Sequence, residues 1–317
     1  MKFTRREILG AAAASAFPLL GRAAEPDTIR IVVPLTAGSG SDLTARALAQ
    51  AITVTSGKTV VVDNKPGAGA SIGSLFVAKS KPDGLTLLLN TGAHTTNSVL
   101  IKNLPFDPIA DFTPITRITS APGFALFVSS RSPYKTLKQF IEAAKNGKLT
   151  YGSSGIGNTT HVIAELFCRA AGVDMLHVPY KGSAINELLG GQVDCAFIAP
   201  SLAASWIRSG QFHGLGISGS VRSALLPDTP TFNEAGLNVP DIPAWSGLWG
   251  PRGMSDATVG SLYTMLVRAG QETRFSQLVK DGGGTVEMMP PQDFRRYVES
   301  EVNRYKKVLP PLGIQVT

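Results

Sequence analysis

The residues best suited to chemistry in this sequence form two short loops rich in glycine and hydroxyl groups. The first loop, residues 36–42, lies between an apolar run at 31–35 and apolar residues that recur at helical spacing. The second loop, residues 153–159, follows a strand pattern and precedes a helix pattern at about 160–171. The first N–H groups of a helix lack internal partners, and glycine lets a ligand approach the backbone closely. Both loops therefore predict a cradle for a small anion.

Hydroxyl groups in the two loops add neutral donors to these backbone N–H groups. Several neutral donors and two helix N-termini can hold a carboxylate without a dedicated arginine. The hydroxyls that we expect to donate are those of Ser39, Ser41, Ser154 and Thr159. The predicted binding residues of the loops are Thr36, Ala37, Gly38, Ser39, Gly40, Ser41, Asp42, Ser153, Ser154, Gly155, Gly157, Thr159 and His161.

Three side chains near the loops have more than one possible role. The carboxylate of Asp42 would repel a bound anion, so we favour its capping of helix N–H groups. His161 either touches the ligand or orients the second loop. Lys181 either supplies positive charge or is an ordinary solvated lysine.

A serine nucleophile is the rival chemistry. Residues 69–73 read G-A-S-I-G and match the hydrolase nucleophile elbow at Ser71, with Asp83 and His94 downstream in a suitable order. An elbow, however, turns sharply from a strand into a helix, and Pro66, Gly67 and Ala68 separate Ser71 from its strand. An esterase using Ser71 is therefore the alternative and not the main hypothesis.

Metal and cofactor sites are not predicted. The four histidines, His94, His161, His177 and His213, have no metal-ligand spacing, and the glycines at 67–73 do not match a dinucleotide fingerprint. Cys168 and Cys195 fall in a predicted helix and a predicted strand. An oxidising compartment would permit a disulfide, but nothing in the spacing places the two together, so two buried free thiols are favoured.

The elements that must position the loops follow the same order twice. Residues 31–90 follow the order strand, loop, helix, strand, helix, strand, and residues 149–198 repeat this order. This order predicts parallel strands and an α/β fold. Ligands of such sheets bind at the carboxyl ends of the strands, and pockets favour domain interfaces. Two domains facing each other would aim both loops into one cleft.

Composition and the N-terminus indicate where the protein acts and which partners it is not expected to bind. The chain has 317 residues, 43% of them hydrophobic and 17% charged, with a net charge of +7. The first 24 residues carry +3 of this charge, and no basic run with aromatics follows, so nucleic acid is not an expected partner. Arg5 and Arg6 precede an apolar segment at 8–20 and small residues at 21–24, which predicts a twin-arginine signal peptide at 1–24. No later segment is long enough to insert into a membrane.

The remaining chain is predicted to form two lobes joined by two crossings. Lobe 1 would comprise residues 25–122 and 227–317, and lobe 2 residues 123–226, with breaks at 121–123 and in the Pro-rich stretch 227–243. The tail 254–310 has a helical pattern and is expected to pack on lobe 1. Trp206, Trp245 and Trp249 are expected in the core or at the hinge, with the last two also candidates for the cleft.

Longer motifs make the chain resemble the solute receptors of tripartite tricarboxylate transporters, often called Bug proteins. The motifs that carry the resemblance are PLTAGSGSDLTAR (34–46), VVDNKPGAGASIG (61–73), KPDGLTLLL (81–89), LPFDPIADFTPIT (104–116), YGSSGIGNTTH (151–161), GVDMLHVPYKGSA (172–184), LLGGQVDCAFIAP (188–200) and ALLPDTPTFNEAGL (224–237). They cover essentially the whole chain after residue 24.

The resemblance implies a two-lobed periplasmic binding protein of the Venus flytrap type, built from two doubly wound α/β domains. It implies a monomeric receptor in the periplasm, with no enzymatic activity, that captures a small carboxylate and delivers it to a permease of one large and one small membrane subunit. A role as a carboxylate sensor in signalling stays open. The family's loops 36–42 and 153–159 hold the carboxylate.

One departure from the family pattern affects the ligand. The family often has Asp-Asn where this chain has Ala199-Pro200, in a segment that faces the cleft. This substitution favours an aromatic or otherwise less polar acid. The predicted binding set is completed by Asn90, Tyr180, Ala199 and Pro200.

Overall fold

Two separate β-sheets organise the chain in the computed structural model, which describes residues 28–314. The predicted signal peptide lies outside the described residues. We call the elements around the first sheet lobe 1 and those around the second sheet lobe 2. The mixed α/β architecture with two sheets is the one predicted from the sequence.

The first sheet has six strands in the order β11-β4-β10-β3-β1-β2. Its strands are β1 (Ile29–Val33), β2 (Val60–Asn64), β3 (Thr86–Thr91), β4 (Phe112–Ala121), β10 (Ala244–Pro251) and β11 (Thr285–Val286). The helices of this lobe are α1 (Gly40–Ser56), α2 (Ser71–Ala78), α3 (Ala93–Leu100), α8 (Asp256–Gly270), α9 (Thr273–Asp281) and α10 (Pro291–Val308). β1 pairs in parallel with β2 and β3, as the repeated strand–helix order requires, whereas β10 runs antiparallel between β3 and β4.

The second sheet has five strands in the order β7-β6-β8-β5-β9. They are β5 (Ala125–Ser129), β6 (Thr150–Ser153), β7 (Leu176–Pro179), β8 (Cys195–Ile198) and β9 (Phe212–Ile217). Its helices are α4 (Leu137–Asn146), α5 (Thr159–Ala171), α6 (Ile185–Gly190) and α7 (Pro200–Arg208). β6 is parallel to β7 and β8, and β5 is antiparallel to β8 and β9. Each sheet thus joins three parallel strands to antiparallel ones.

The chain crosses from the first sheet to the second at residues 122–124, where it lies beside the end of β9. Ser218 and Phe124 exchange hydrogen bonds, because Ser218 N donates to Phe124 O and Phe124 N donates to Ser218 Oγ, each at 3.0 Å. A Cβ on Gly123 would lie 2.7 Å from Ser218 O, and one on Gly219 would lie 2.2 Å from Pro122 O. Both glycines therefore permit a backbone contact that no larger residue fits.

The C-terminal helix α10 packs against both lobes. Phe294 and Val298 are buried with Trp249 under the first sheet, whereas Tyr305 and Leu309 belong to the apolar cluster that covers the second sheet. The stretch before β10 also packs on that second cluster, through Phe232, Val239 and Ile242.

Two further sequence expectations concern the cysteines and membrane-spanning segments. Cys168 and Cys195 are both buried and unpaired, as the sequence favoured. Between residues 28 and 314, no helix has the length and apolar character needed to cross a bilayer.

Candidate functional site

A cavity of about 400 Å³ lies between the two lobes and is lined by both loops singled out in the sequence. Lobe 1 contributes the first turn of α1, the end of β3, the end of β4 and the start of β10. Lobe 2 contributes the first turn of α5, the end of β8 and one face of α7. The carboxyl ends of the parallel strands and the N-termini of the following helices therefore face one cleft, which is where open α/β sheets bind ligands.

The first loop leaves backbone donors free at the start of α1. Ser39 caps the helix, and its Oγ accepts the N–H of Asp42 at 3.3 Å. The N–H groups of Gly40 and Ser41 have no hydrogen-bond partner within residues 28–314, and both residues line the cleft. Two donors at the positive end of a 17-residue helix are thus available to an anion.

Asp42 faces away from these donors. Its Oδ2 accepts the N–H of Gly38 at 2.9 Å and the Nε of Arg46 at 3.0 Å, and Asp42 is not among the residues that line the cleft. Burial raises the pKa of Asp42, but the hydrogen bonds from Arg46 and Gly38 outweigh it and hold the pKa below the ordinary value. The carboxylate therefore fixes the loop from behind, through an N–H that precedes the helix and not through the helix N–H groups that we expected it to cap.

Replacing Asp42 by Asn is expected to lower the free energy of unfolding at pH 7 by about 1–2 kcal/mol, because two charge-assisted hydrogen bonds are weakened. Since the folded-state pKa of Asp42 is depressed, its contribution is present above the ordinary pKa and is lost as the pH falls through the folded-state value. Urea unfolding at pH 7 and pH 3 should therefore show a difference from wild type that shrinks in acid.

The control variant is Asp256→Asn. Asp256 also lies in the first turn of a helix, α8, but it is exposed. Its replacement should cost less than that of Asp42. Equal losses at the two positions would assign the whole effect to the helix dipole and remove the role given to Gly38 and Arg46.

The second loop repeats this arrangement at the start of α5. Asn158 caps the helix by accepting the N–H of Thr160 at 3.2 Å, and the N–H of Thr159 has no partner among residues 28–314. The N–H of Ser154 is occupied by Thr160 Oγ1 at 2.9 Å, so Ser154 offers its hydroxyl to the cleft.

About half of the predicted binding residues line the cleft. Those that do are Thr36, Gly38, Ser39, Gly40, Ser41, Ser154, Thr159 and Ala199. Those that do not are Ala37, Asp42, Asn90, Ser153, Gly155, Gly157, His161, Tyr180 and Pro200.

The residues outside the cleft lining surround it instead. Asn90 is buried and accepts the N–H of Thr91, Pro200 is the first residue of α7, and Tyr180 packs on the core of lobe 2. Ser153 is the first residue of the second loop and bonds to the backbone of Gly155, and His161 lies beneath the loop and accepts the N–H of Gly157.

Several cleft residues were not singled out in the sequence. They are Thr44, Thr91, Gly92, Thr119, Ser120, Asn158, Ser183, Ser201, Leu202, Arg208 and Asp281 among others. Thr91 is the last residue of the parallel strand β3 and Gly92 follows it, so the rule on strand ends could have identified both. Trp245 lines the cleft, whereas Trp249 is fully buried.

The rival serine chemistry is not assembled. The hydroxyl of Ser71 donates to Ala68 O within its own turn. His94 is buried, and its Nε2 bonds to Pro108 O at 2.8 Å. Burial lowers the pKa of His94 to about 4. In the part of the chain that the structure describes, no three His, Cys, Asp or Glu side chains converge as a metal site.

Comparison with known proteins supports the resemblance seen in the motifs. Residues 44–314 match the tripartite tricarboxylate transporter family receptor. The periplasmic binding protein BugD has a solved structure that is 31% identical, with a TM-score of 0.85 over 91% of this chain and 98% of that chain.

Two further solved structures hold ligands. MatC from Rhodopseudomonas palustris, with bound malate, is 30% identical, with a TM-score of 0.82 over 89% of this chain and 98% of that chain. R. palustris Rpa4515, with adipate, is 31% identical, with a TM-score of 0.85 over 91% and 98%. Because the family match spans most of the sequence, the chain belongs to the tripartite tricarboxylate transporter receptor family, whose members are periplasmic solute-binding proteins and not enzymes.

Proposed function

We propose that this protein captures a small organic carboxylate in the cleft between its lobes and delivers it to a membrane permease with one large and one small subunit. It acts as a monomer in the periplasm, after export by the twin-arginine route. The observation that carries the proposal is the pair of helix N-termini, α1 and α5, whose unpaired N–H groups face one cavity. Malate and adipate in the related structures are ligands of this chemical class.

The division into lobes belongs to the same proposal. The sequence placed residues 227–243 in lobe 1, but Phe232, Val239 and Ile242 pack on the apolar cluster of the second sheet. We therefore assign residues 28–122 and 244–314 to lobe 1 and residues 123–243 to lobe 2, so that closure moves one sheet against the other. The hinge would then comprise the first crossing at Gly123, which touches Ser218 at the end of β9, and the second crossing directly before β10. One carboxylate can contact both loops only when the lobes are together, which is why binding closes the cleft.

The carboxylate itself is expected to sit between the loops 36–42 and 153–159. The hydroxyls of Ser39, Ser41, Ser154 and Thr159 would donate to it beside the N–H groups of Gly40, Ser41 and Thr159. All of these residues line the cleft, and the two helices supply positive potential without a buried cation.

The rest of the ligand is expected to be less polar. Much of the cleft lining is apolar and includes Leu43, Phe124, Ile198, Leu202, Trp245 and Leu278. The cationic side chains of the lining are Lys181 and Arg208, both exposed. A volume of about 400 Å³ also leaves room beyond one carboxylate group. These features favour an aromatic or long aliphatic acid.

A thermal-shift screen tests the proposal. It should include di- and tricarboxylates, aromatic acids, acidic amino acids and nicotinate. A ligand at a hundredfold excess over its Kd adds about 2.7 kcal/mol of stability, so true ligands should give clear upward shifts. Stabilisation only by sugars, cationic amino acids or metal ions would reject the carboxylate class.

Replacing Ser154 or Thr159 by Ala should weaken binding of the best acid about threefold to tenfold each, because each change removes one hydrogen bond worth about 1 kcal/mol. Isothermal titration calorimetry measures the effect. Ser71→Ala is the matched control, since its hydroxyl is occupied within its own turn and does not line the cleft. An equal loss in the control would mean that the changes act through folding and not through ligand contacts.

A further inference from the structure

Three aromatic rings stack beneath the second loop. The rings of His161 and His177 lie 3.9 Å apart between centroids at 17°, and His177 stacks on Tyr151 at 4.8 Å and 12°. The three residues come from α5, β7 and β6. Tyr151 and His161 are buried, and His177 is half-buried. No ring of this stack lines the cleft.

Both imidazoles hold the loop. The N–H of Gly157 donates to His161 Nδ1 at 3.1 Å, and His177 Nε2 lies 2.6 Å from Ser153 Oγ. Ser153 Oγ in turn accepts the N–H of Gly155 at 3.2 Å. The stack is therefore bonded at both ends of the loop, at its first residue and directly before the cap of α5.

The bond from Gly157 defines the state of His161. An imidazole nitrogen accepts a hydrogen bond only when it carries no proton, so His161 is neutral with its proton on Nε2. The groups that face it are His177, Tyr151 and Glu165, whose carboxylate accepts the Tyr151 hydroxyl and lies 3.8 Å from His161 Nε2. Burial, and then the neighbouring His177, lower the pKa of His161 to about 3, and burial lowers that of His177 to about 4.

The loop needs such an anchor. Gly155 and Gly157 have φ values of +118° and +76°. Glycine adopts such values freely, but because it has no side chain it also leaves them freely. Gly157 also faces lobe 1, where Thr96 Oγ1 donates to Gly157 O at 3.4 Å. A shift of Gly157 would therefore move both the cap of α5 and a contact between the lobes.

We propose that His161, supported by the stacked ring of His177, is a positioning residue that fixes the second loop through the Gly157 N–H without touching the ligand. The consequence for binding rests on the proposed function: the donors of Ser154 and Thr159 converge on a carboxylate only while the backbone between them is held. This places His161 behind the site and assigns its role to one acceptor atom.

Two variants separate the acceptor from the packing. His161→Asn places an amide oxygen close to the position of Nδ1 and so keeps the hydrogen-bond acceptor. His161→Leu keeps the apolar volume of the side chain but removes the acceptor. Hydrogen–deuterium exchange of the Gly157 amide is measured without ligand at pH 7, with a melting curve for each variant. We expect exchange to be at least about tenfold faster in His161→Leu and close to wild type in His161→Asn. Unchanged exchange in His161→Leu, or equal acceleration in both variants, would overturn the proposal.

Binding of adipate provides the second arm. Affinity should fall about tenfold in His161→Leu and be largely restored in His161→Asn, even if both variants lose thermal stability. If the wild type binds no carboxylate, the proposed function fails, but the exchange measurement still decides the role of His161. If adipate binds equally to wild type and to His161→Leu, the loop does not need this anchor and the proposal fails.

Discussion

Replacing Gly282 by Leu is expected to weaken ligand binding about 10- to 100-fold while both lobes stay folded. Gly282 follows α9 in lobe 1, and a Cβ there would lie 2.9 Å from the Cβ of Ser201 on α7 in lobe 2. The Ser201 Cβ is bonded directly to the backbone and cannot turn away. The φ of Gly282 is −81°, which any residue adopts, and within lobe 1 the added Cβ would lie 3.3 Å from Val279 O, so the main strain falls on the approach of the two lobes.

Glycines recur where the lobes meet across the cleft. A Cβ on Gly40 would lie 2.9 Å from Leu202, and one on Gly92 would lie 3.2 Å from Thr159 Oγ1. Gly182 faces Thr36 at an ordinary contact distance, since a Cβ there would lie 3.9 Å from Thr36 Oγ1. The described structure therefore has the lobes in contact, as the proposed closure requires, at points that carry no side chain on one side.

The size of the effect follows from the cost of overpacking. Forcing extra atoms into a packed contact costs about 1–3 kcal/mol, and each 1.4 kcal/mol is a tenfold change in an equilibrium constant. In an open form the new side chain meets solvent, so the cost falls on the closed, ligand-bound state alone. Calorimetry gives the affinity, and small-angle scattering with and without ligand reports whether closure is impaired.

Gly260→Ala is the control for this prediction. Gly260 lies inside α8, and a Cβ there would meet nothing within 4 Å. Binding should be unchanged and stability slightly increased, since alanine is the better helix former. Wild-type affinity in Gly282→Leu would show that the contact between α7 and α9 is not part of closure.

The loops could be predicted from the sequence because their signals are local. A strand, glycines, the caps Ser39 and Asn158 and a helical stripe follow one another within about 20 residues in each lobe. The family motifs then placed both loops in one cleft. The fold class followed from the same order of elements, since repeated strand–helix units require parallel strands.

Other features depend on contacts that no local pattern encodes. β5 is a run of four apolar residues followed by Ser129, and β10 contains Gly247 and Gly250, so neither strand has a clear alternating pattern. Leu202 and Gly282 belong to the cleft only because α7 of lobe 2 lies opposite the end of α9 in lobe 1. His161 is four residues from Gly157, but its orientation depends on His177, which lies on another strand. The helical tail was predicted in outline, but β11 interrupts it and α10 reaches lobe 2.

A buried ion pair on α10 carries the second large prediction. Glu301 is 2% exposed and accepts hydrogen bonds from Thr95 Oγ1, Tyr297 OH and Arg304 Nη2 at 3.0, 2.9 and 3.0 Å. Burial raises the pKa of Glu301, and the bond from Tyr297 and the charge of Arg304 offset this only in part. Arg304 also donates to Asp241 O at 2.7 Å.

Replacing Arg304 by Met is expected to lower the free energy of unfolding by about 2–3 kcal/mol at pH 8. Removing one partner of a fully buried pair costs about 3–5 kcal/mol, because the other charge is left uncompensated. We expect a smaller loss than this range, since the Arg304 side chain is 36% exposed and water screens the pair. Urea unfolding at several pH values measures the loss.

The loss should depend on pH in a defined direction. A carboxyl whose pKa is raised in the folded state lowers the free energy of unfolding when it is ionised. This penalty is absent below the ordinary pKa and grows as the pH rises toward the folded-state pKa. Without Arg304 the pKa of Glu301 rises further, because the cation that favoured the ionised form is gone. The difference between wild type and Arg304→Met should therefore be small near pH 4.5 and complete at pH 8.

Two further variants identify the buried charge as the cause. Arg296→Met removes an arginine of the same helix whose partner, Asp293, is exposed, so it should change stability little at any pH. Adding Glu301→Gln to Arg304→Met should recover most of the loss at pH 8, since the neutral amide has no charge to leave unpaired. A loss that is equal at pH 4.5 and pH 8, or that the double variant keeps in full, would assign the effect to the lost bond with Asp241 O and to packing. In that case the carboxylate of Glu301 tolerates burial through its three hydroxyl donors, Thr95, Tyr297 and Tyr305, without its arginine.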